Sequence, residues 1–372
     1  MASTIRKIIK HFFVSLTILL CLIFLISCLS PFVSPNDWSI IGFLPLAVPY
    51  IVIVLFFCLL FWLIVKPSLA LLPLICLLIG YKQVTAIFAW HFSNNFVAEK
   101  KAPSAIRMVT WNVRGMYGIS NSPYTQSRNR TEIASLIKNL DPDIFCLQEF
   151  TDKMKNRKTE LNNLKLFTEK WPYHFYHNDF SEISGKPGMV IFSKFPIIGK
   201  GYTKFPGLNS ESLVFADILK EKDTIRVYTT HLQSFEFNEK DYHNIEKIKD
   251  PNSKSLEASK SLFTKMRKAF QTRAAQADIV RKIIDSTPYP YVICGDFNDV
   301  PNSYTYFHIR NQNQDAFLAT SFGIGRTFNN LAPTLRIDYI LPDNNFNIEQ
   351  FDVVDEGLSD HHLLVTDFIL QK

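Results

Sequence analysis

The stretch YVICGDFNDVPNSY, residues 291–304, carries Asp296 and Asn298 where an apolar strand gives way to turn-forming residues. Residues i and i+2 of a strand share a face, so this spacing aims a carboxylate and an amide at one spot. Such a pair is either a solvated strand end or half of a catalytic site, since Asp and Asn are also ordinary turn formers. Other apolar runs end on polar groups in the same way: Asn112 after VTW, Glu149 after DIFCLQ, His231 after VYTT, Asp338 within RIDYIL, and Asp360-His361 just before LLVTDFI. Arg114, two residues beyond Asn112, either contacts phosphate or caps its strand. Strand ends converge in a sheet-rich domain, and carboxylates gathered there suit a hard divalent cation.

These groups need strands to carry them. Strand-like runs occur at 106–111, 143–147, 188–193, 212–218, 224–231, 290–295, 336–341 and 363–369, and helical runs at 126–140 and 255–286. In the second helical run Leu262, Met266, Phe270, Ile279 and Ile283 recur near helical spacing with charge between them. Short strands interleaved with a few long helices predict an α/β fold, two sheets face to face with helices on the flanks. Residues 234–254 are charged and long for a loop, which suggests a functional flap or a flexible insertion, with Phe235 and Phe237 read as core.

The first 90 residues are of another kind. Residues 11–33 and 41–65 each have the length and apolarity of a bilayer-spanning helix, and 68–90 is a third such run, interrupted by Lys82 and Gln83. The first run could instead be a cleaved signal, because Arg6, Lys7 and Lys10 precede it and Leu25-Ile26-Ser27-Cys28 resembles a lipoprotein cleavage box. Two further apolar runs directly after it favour three spans. Basic residues precede the first span, the loop at 34–40 has none, and Lys66 sits between the second and third. This asymmetry places the amino terminus in the cytoplasm and everything after Trp90 outside it, with Trp38 and Trp90 at the outer interface and Trp62 at the inner one. The chain then divides into a membrane anchor at 1–90, a connector at 91–104 and a catalytic domain at 105–372. Fourteen connector residues reach at most about 50 Å, which holds the domain near the bilayer.

Of the net charge of +6, nearly all belongs to residues 1–101, so the region beyond is close to neutral and lacks the broad cationic surface of a non-specific nucleic-acid binder. Cys21, Cys28, Cys58 and Cys76 fall in the apolar runs, while Cys146 and Cys294 lie in strand-like runs and read as small hydrophobes. No spacing suggests a disulfide framework or a zinc site.

WNVRG, LQEF, THLQS, GDFNDVPNS, RIDYIL and SDHH occur in the order found in the endonuclease/exonuclease/phosphatase superfamily, which the chain resembles over about 105–370. That superfamily includes DNase I-like nucleases, apurinic endonucleases, sphingomyelinases, inositol polyphosphate 5-phosphatases and deadenylases. The resemblance implies a DNase I-like two-sheet sandwich and a phosphodiester hydrolysed with Mg²⁺, or Mn²⁺ in its place. It implies that Glu149 binds the metal with Asn112 beside it and Asp360 near it, that Asp296 activates water, and that Asn298 donates to the phosphoryl oxygens. It implies that His361 contacts the same phosphate, with Asp338 fixing its tautomer, and that His231 binds phosphate or protonates the leaving group, unless it is simply a buried hydrogen-bonded residue. It also makes the Ser193-Lys194-Phe195-Pro196 turn architectural, and His362 is expected to point away. The bilayer and a phosphodiester are the partners implied, and nothing points to a protein partner. The substrate stays open between a lipid headgroup or small phosphoester and nucleic acid.

Overall fold

The computed structural model describes residues 2–92, 96–100, 102–119, 122–156, 159–179, 187–207, 211–249 and 256–371. Two compact units make up the chain: Met1–Phe88 with Phe235–Ala275 and Val300–His308, and Ala89–Ser234 with Gln276–Asp299 and Ile309–Lys372. The cut at 91–104 does not coincide with this division. The chain enters the second unit at Ala89, and the 234–254 insertion belongs almost wholly to the first.

The second unit is the expected sandwich. Its six-stranded sheet runs Phe346–Val354, Leu363–Leu370, Ile106–Asn112, Ile144–Phe150, Gly188–Ser193 and Tyr173–His177, and its five-stranded sheet runs Asp338–Pro342, Tyr291–Asp296, Asp223–His231, Ser212–Lys220 and Ile197–Lys204. The period-2 pattern of Ile106–Asn112 shows how one sequence serves two cores. Met108 turns inward with Cys146, Ile191, Val214, Val227, Val292 and Cys294 between the sheets. Val109 and Trp111 turn outward with Phe145 and Phe192 against Ile133 and Ile137 of helix Pro123–Leu140. A polar tie crosses the inner core: Gln148 Nε2 donates to Thr110 Oγ1 at 2.9 Å and to Thr229 Oγ1 at 2.8 Å, one on each sheet.

The connector is not slack. Ala89 and Trp90 pair with Gly323 and Phe322 in a two-stranded ladder, and His91 N–H donates to the Ser321 carbonyl. Gln350 accepts from the N–H of Val97 at 3.0 Å and donates to its carbonyl, while Arg107, buried and paired with Asp367 at 2.8 Å, also reaches the carbonyl of Ala98. Residues 93–95 and 101 of the connector lie outside the described residues.

In the first unit, two helices are long and apolar enough to cross a membrane, Ile5–Ser27 within Ala2–Ser27 and Leu44–Val65. The first therefore starts before residue 11 and takes in Arg6, Lys7 and Lys10, and it ends at Ser27 rather than 33. The third apolar run is not one helix. It is Pro67–Ile79 and Tyr81–Ile87, bent by 71° at Gly80, so the described residues hold two such helices, or three if the bent pair is one span. Trp62 does not face the membrane surface as a belt residue would; it is buried and donates Nε1–H to Thr17 Oγ1 at 3.0 Å, the kind of interhelical bond that lipid cannot replace.

Gly80 makes the corner by close approach: a Cβ there would meet Phe24 Cζ at 2.3 Å. Overpacking of that kind costs on the order of 1–3 kcal/mol. Gly80→Val is expected to lower the melting temperature of the purified chain in detergent, and Phe24→Ala in the same chain to restore part of the loss. Equal melting of Gly80→Val and the parent would show that the two helices do not meet there.

The insertion is more ordered than its composition suggests. It contains helix Glu239–Lys249, with residues 250–254 outside the described residues. Phe235 stacks on Phe237 at 5.2 Å and meets Phe270 edge-on at 5.4 Å. Phe270 belongs to the long helix Leu256–Asp285, and Phe43, just ahead of the second apolar helix, stacks on Phe263 at 4.6 Å and on the edge of Phe270 at 5.0 Å. Gly42 lies against that ring, where a Cβ would come within 2.7 Å of Phe270 Cγ. Ser30 adds a hydrogen bond to the carbonyl of Asn302.

Candidate active site

Two parallel strand pairs, one in each sheet, explain why distant motifs meet. Ile106–Asn112 runs parallel to Ile144–Phe150, and Asp223–His231 runs parallel to Tyr291–Asp296, so each pair brings its carboxyl ends together. Asn112 and Glu149 end the first pair. His231 and Asp296 end the second as register partners, and Asp338 lies opposite Asp296 on the next strand. His361 precedes Leu363–Leu370, whose antiparallel pairing with Ile106–Asn112 sets its start beside Asn112, and Trp111 Nε1–H donates to the His361 carbonyl at 2.8 Å.

Asn112 is the hub. Its Nδ2 donates to Glu149 Oε1 and to Asp296 Oδ2, both at 3.1 Å, while its Oδ1 accepts the Arg114 N–H at 3.1 Å. A bulge between Leu147 and Phe150 puts Glu149 at φ 49°, a conformation uncommon outside glycine, and turns its carboxylate out of the strand. Asp296 is fully buried, with His231 Nε2 at 3.5 Å and His361 Nε2 at 3.6 Å from the same Oδ2.

Each imidazole has its own carboxylate behind it. His361 Nδ1 lies 3.0 Å from Asp338 Oδ2, and His231 Nδ1 lies 2.9 Å from Glu211 Oε1. Burial disfavours the cation of His361, but Asp338 and Asp296 outweigh it and push the pKa up to about 10. Burial of His231 is likewise outweighed, by Glu211, Asp296 and Glu149, and its pKa stands well above the ordinary value. Burial raises Asp338 to about 6 against the opposing pull of His361. The acids around both rings favour their cations, and both Nε2 atoms face Asp296.

Asn298 is placed differently from the strand-face expectation. The strand ends at Asp296, Asn298 sits at φ 52°, its N–H donates to Asp296 Oδ1 at 2.8 Å, and its side-chain amide donates to the Leu232 carbonyl at 2.9 Å. It braces Asp296 and the end of the neighbouring strand. Arg114 has its guanidinium 3.8 Å from Asp360 and begins a short 3-10 turn. His362 turns to Asn329 at 2.6 Å and Asp355 at 3.3 Å, away from Asp296. In the 193–196 turn, Ser193 Oγ accepts the Phe195 N–H at 2.9 Å, a purely architectural bond.

Glu211 was not singled out by the sequence reading. The signal was the hairpin of 212–218 and 224–231: its register sets Leu213 against Thr230, which carries the preceding acid to His231. Glu211→Gln is expected to lower turnover about tenfold or more, the usual scale for losing the group that orients a working imidazole, and, by removing a cause of the raised His231 pKa, to bring the alkaline limb of the pH–rate profile to lower pH. An unchanged rate and profile would make the contact incidental.

The donor set fits a hard divalent cation. Asp296, Asp338 and His361 bring one ligand atom each within 4.8 Å of one another. Glu149, part-exposed, is joined to Asp296 through the single amide of Asn112, which adds a further carboxylate beside that trio.

The fold resembles that of an endonuclease/exonuclease/phosphatase from Beutenbergia cavernae DSM 12333, at 18% identity over 72% of each chain with a TM-score of 0.49. It also resembles a Bacteroides thetaiotaomicron VPI-5482 mannosyl-6-phosphatase, at 18% identity over 71% of this chain and 100% of that one with a TM-score of 0.48. The human Nocturnin catalytic domain aligns at 16% identity over 72% and 94% with a TM-score of 0.49. No curated protein sequence matches the chain. Residues 10–87 match a family described as a domain of unknown function, DUF8431. Residues 109–361, about two thirds of the sequence and every site residue above, match the Endonuclease/Exonuclease/phosphatase family, and the chain belongs to that family of phosphoesterases and nucleases.

Proposed function

We propose that this chain is a membrane-anchored, Mg²⁺-dependent phosphoesterase that cleaves a phosphodiester by attack of water, with a lipid headgroup or another surface-held phosphodiester as its substrate. The observation that carries the chemistry is the Asn112 amide joining Glu149 to Asp296, with the Nε2 atoms of two imidazoles facing Asp296. Asp296 orients the attacking water and takes its proton. His231 and His361 present Nε2–H donors to the charge that builds on the phosphoryl oxygens, fixed in advance by Glu211 and Asp338. Asn298 holds Asp296 in place through its backbone N–H, and Arg114 contacts the phosphate. Glu149, with Asn112 and Asp360, holds Mg²⁺, which when bound withdraws charge from the phosphate and stabilises the departing oxygen.

Two features favour the lipid over nucleic acid. The chain enters the catalytic unit at Ala89, directly after the apolar helices, and the region beyond residue 101 is nearly neutral. The test is a panel on the full chain in nanodiscs, with and without Mg²⁺: phospholipids, sphingolipids, soluble phosphodiesters, DNA and RNA. Mg²⁺-dependent release of phosphorylated headgroup is expected. Degradation of DNA or RNA with no headgroup release would make it a nuclease. The charge asymmetry, with the bent pair as a third span, supports a catalytic unit outside the cytoplasm, so a reporter that works only there should be active when fused after Lys372. Activity of a cytoplasmic reporter instead would mean that the bent pair Pro67–Ile79 and Tyr81–Ile87 does not span, or that the orientation is reversed.

A further inference from the structure

The ladder that receives the chain from the last apolar helix exposes three aromatic rings. Trp90 is 59% exposed, Phe92 78% and Phe322 51%. Trp90 and Phe322 are direct register partners, so their side chains stand on the same face, and the rings of Phe92 and Phe322 lie 4.4 Å apart. The opposite face is fixed to the core of the unit: Ala89 is buried in the cluster that includes Phe317. A rigidly held, exposed aromatic patch marks an interaction surface rather than a stray side chain.

What covers it follows from three facts. Helix Tyr81–Ile87 ends three residues before Trp90, and three residues of chain reach only about 10 Å, so chain length alone keeps the patch within a headgroup layer of that helix end. Residues 83–98 and 316–325, which carry the three rings, contain no Lys, Arg, Asp or Glu. Trp is among the side chains that gather where hydrocarbon meets headgroups, and Phe adds apolar area without a charge to desolvate.

We infer that Trp90, Phe92 and Phe322 form a membrane foot, inserted in the interfacial layer of the bilayer, that seats the catalytic unit on the surface. The inference rests on the apolar helices crossing a bilayer. Its contact is apolar, so it is insensitive to salt and to the anionic content of the lipid.

The experiment places an NBD fluorophore at Phe322→Cys in the full chain, with Cys28→Ala and Cys58→Ala removing the half-buried thiols, in phosphatidylcholine vesicles carrying bromine at shallow or deep acyl positions. Two reference sites accompany it: Val54→Cys in the second apolar helix, and Tyr202→Cys on the exposed strand Ile197–Lys204. Emission at 322 should be blue-shifted and quenched most by shallow bromine, unchanged in 0.5 M salt, with Val54 quenched by deep bromine and Tyr202 reporting water. A watery signal at 322 with Val54 still quenched overturns the foot and leaves the spans standing. A blue shift at 322 that no bromine quenches puts a protein against the patch and also overturns it. A watery signal at Val54 removes the membrane reading on which the inference rests. As a check free of labels, Trp90→Ser/Phe322→Ser should raise the fraction of vesicle-bound chain whose residue 92 region is open to protease, and equal protection in parent and variant would contradict the foot.

Discussion

Glu149→Gln and His361→Ala should each lower phosphodiester turnover at least about a hundredfold, the scale of removing one preorganised charged group from a site of this kind. Glu149→Gln keeps the shape and the bond to Asn112 but removes the charge that a divalent cation requires. His361→Ala removes one of the two N–H donors that face Asp296 and strips Asp338 of its partner. The fold should survive both. Asp338, already pushed up to about 6 by burial, can take a proton when the imidazole is gone, so no unpaired charge is left inside. Turnover measured beside thermal unfolding decides the matter: wild-type rates in either variant would remove that residue from the site, and loss of the folded state would make the rate uninformative about chemistry but contradict the predicted tolerance.

Removing residues 1–101 should damage more than the anchor. Phe43 stacks on Phe263 and Phe270, Asn36 donates to the Gln271 carbonyl, and Ser30 donates to that of Asn302. Ala89 and Trp90 supply one strand of the ladder with Gly323 and Phe322. A fragment of residues 102–372 loses all of these, and exposing a buried Phe such as Phe270 costs about 2 kcal/mol before the ladder is counted. The fragment should aggregate or melt without a cooperative transition, whereas the full chain in detergent should melt cooperatively. A monomeric, cooperatively melting fragment with full activity on a soluble phosphodiester would show that the rest of the chain folds without residues 1–101.

The contrast between these predictions shows what the sequence could and could not convey. Strands with strong apolar character and a polar residue at the end were legible, because burial on both faces of Ile106–Asn112, Ile144–Phe150 and Tyr291–Asp296 leaves an uninterrupted apolar run. The strands of the two main sheets that went unread, Ile197–Lys204, Tyr173–His177 and Phe346–Val354, all lie at sheet edges, where polar residues interrupt the apolar pattern. The third apolar run, interrupted by Lys82 and Gln83, still read as one span because hydropathy does not register the bend at Gly80, which lies close against Phe24. The insertion at 234–254 looked irregular because Phe235 finds its partner outside it, in Phe270, a contact the local sequence does not carry.

In the site, residue types were legible and pairings were not. Asp296, His361 and Glu149 stand at strand ends as their positions suggested, but the parallel pairing that joins them is a property of the sheets. Asn298 was placed on a shared strand face that does not exist, since the strand stops at Asp296 and the chain passes through a left-handed residue. Glu211 carries no motif at all and matters only through the register of one hairpin.

The most direct measurement of the central claim is hydrolysis by the purified full chain in ¹⁸O-enriched water, on a membrane-held phosphodiester, with Mg²⁺ and again with chelator. Attack of water on phosphorus predicts one ¹⁸O in the phosphoryl group of the product, formed only with Mg²⁺ present and absent in Glu149→Gln. Product formed equally well in chelator, or label found in the departing alcohol instead of the phosphoryl group, would contradict the account.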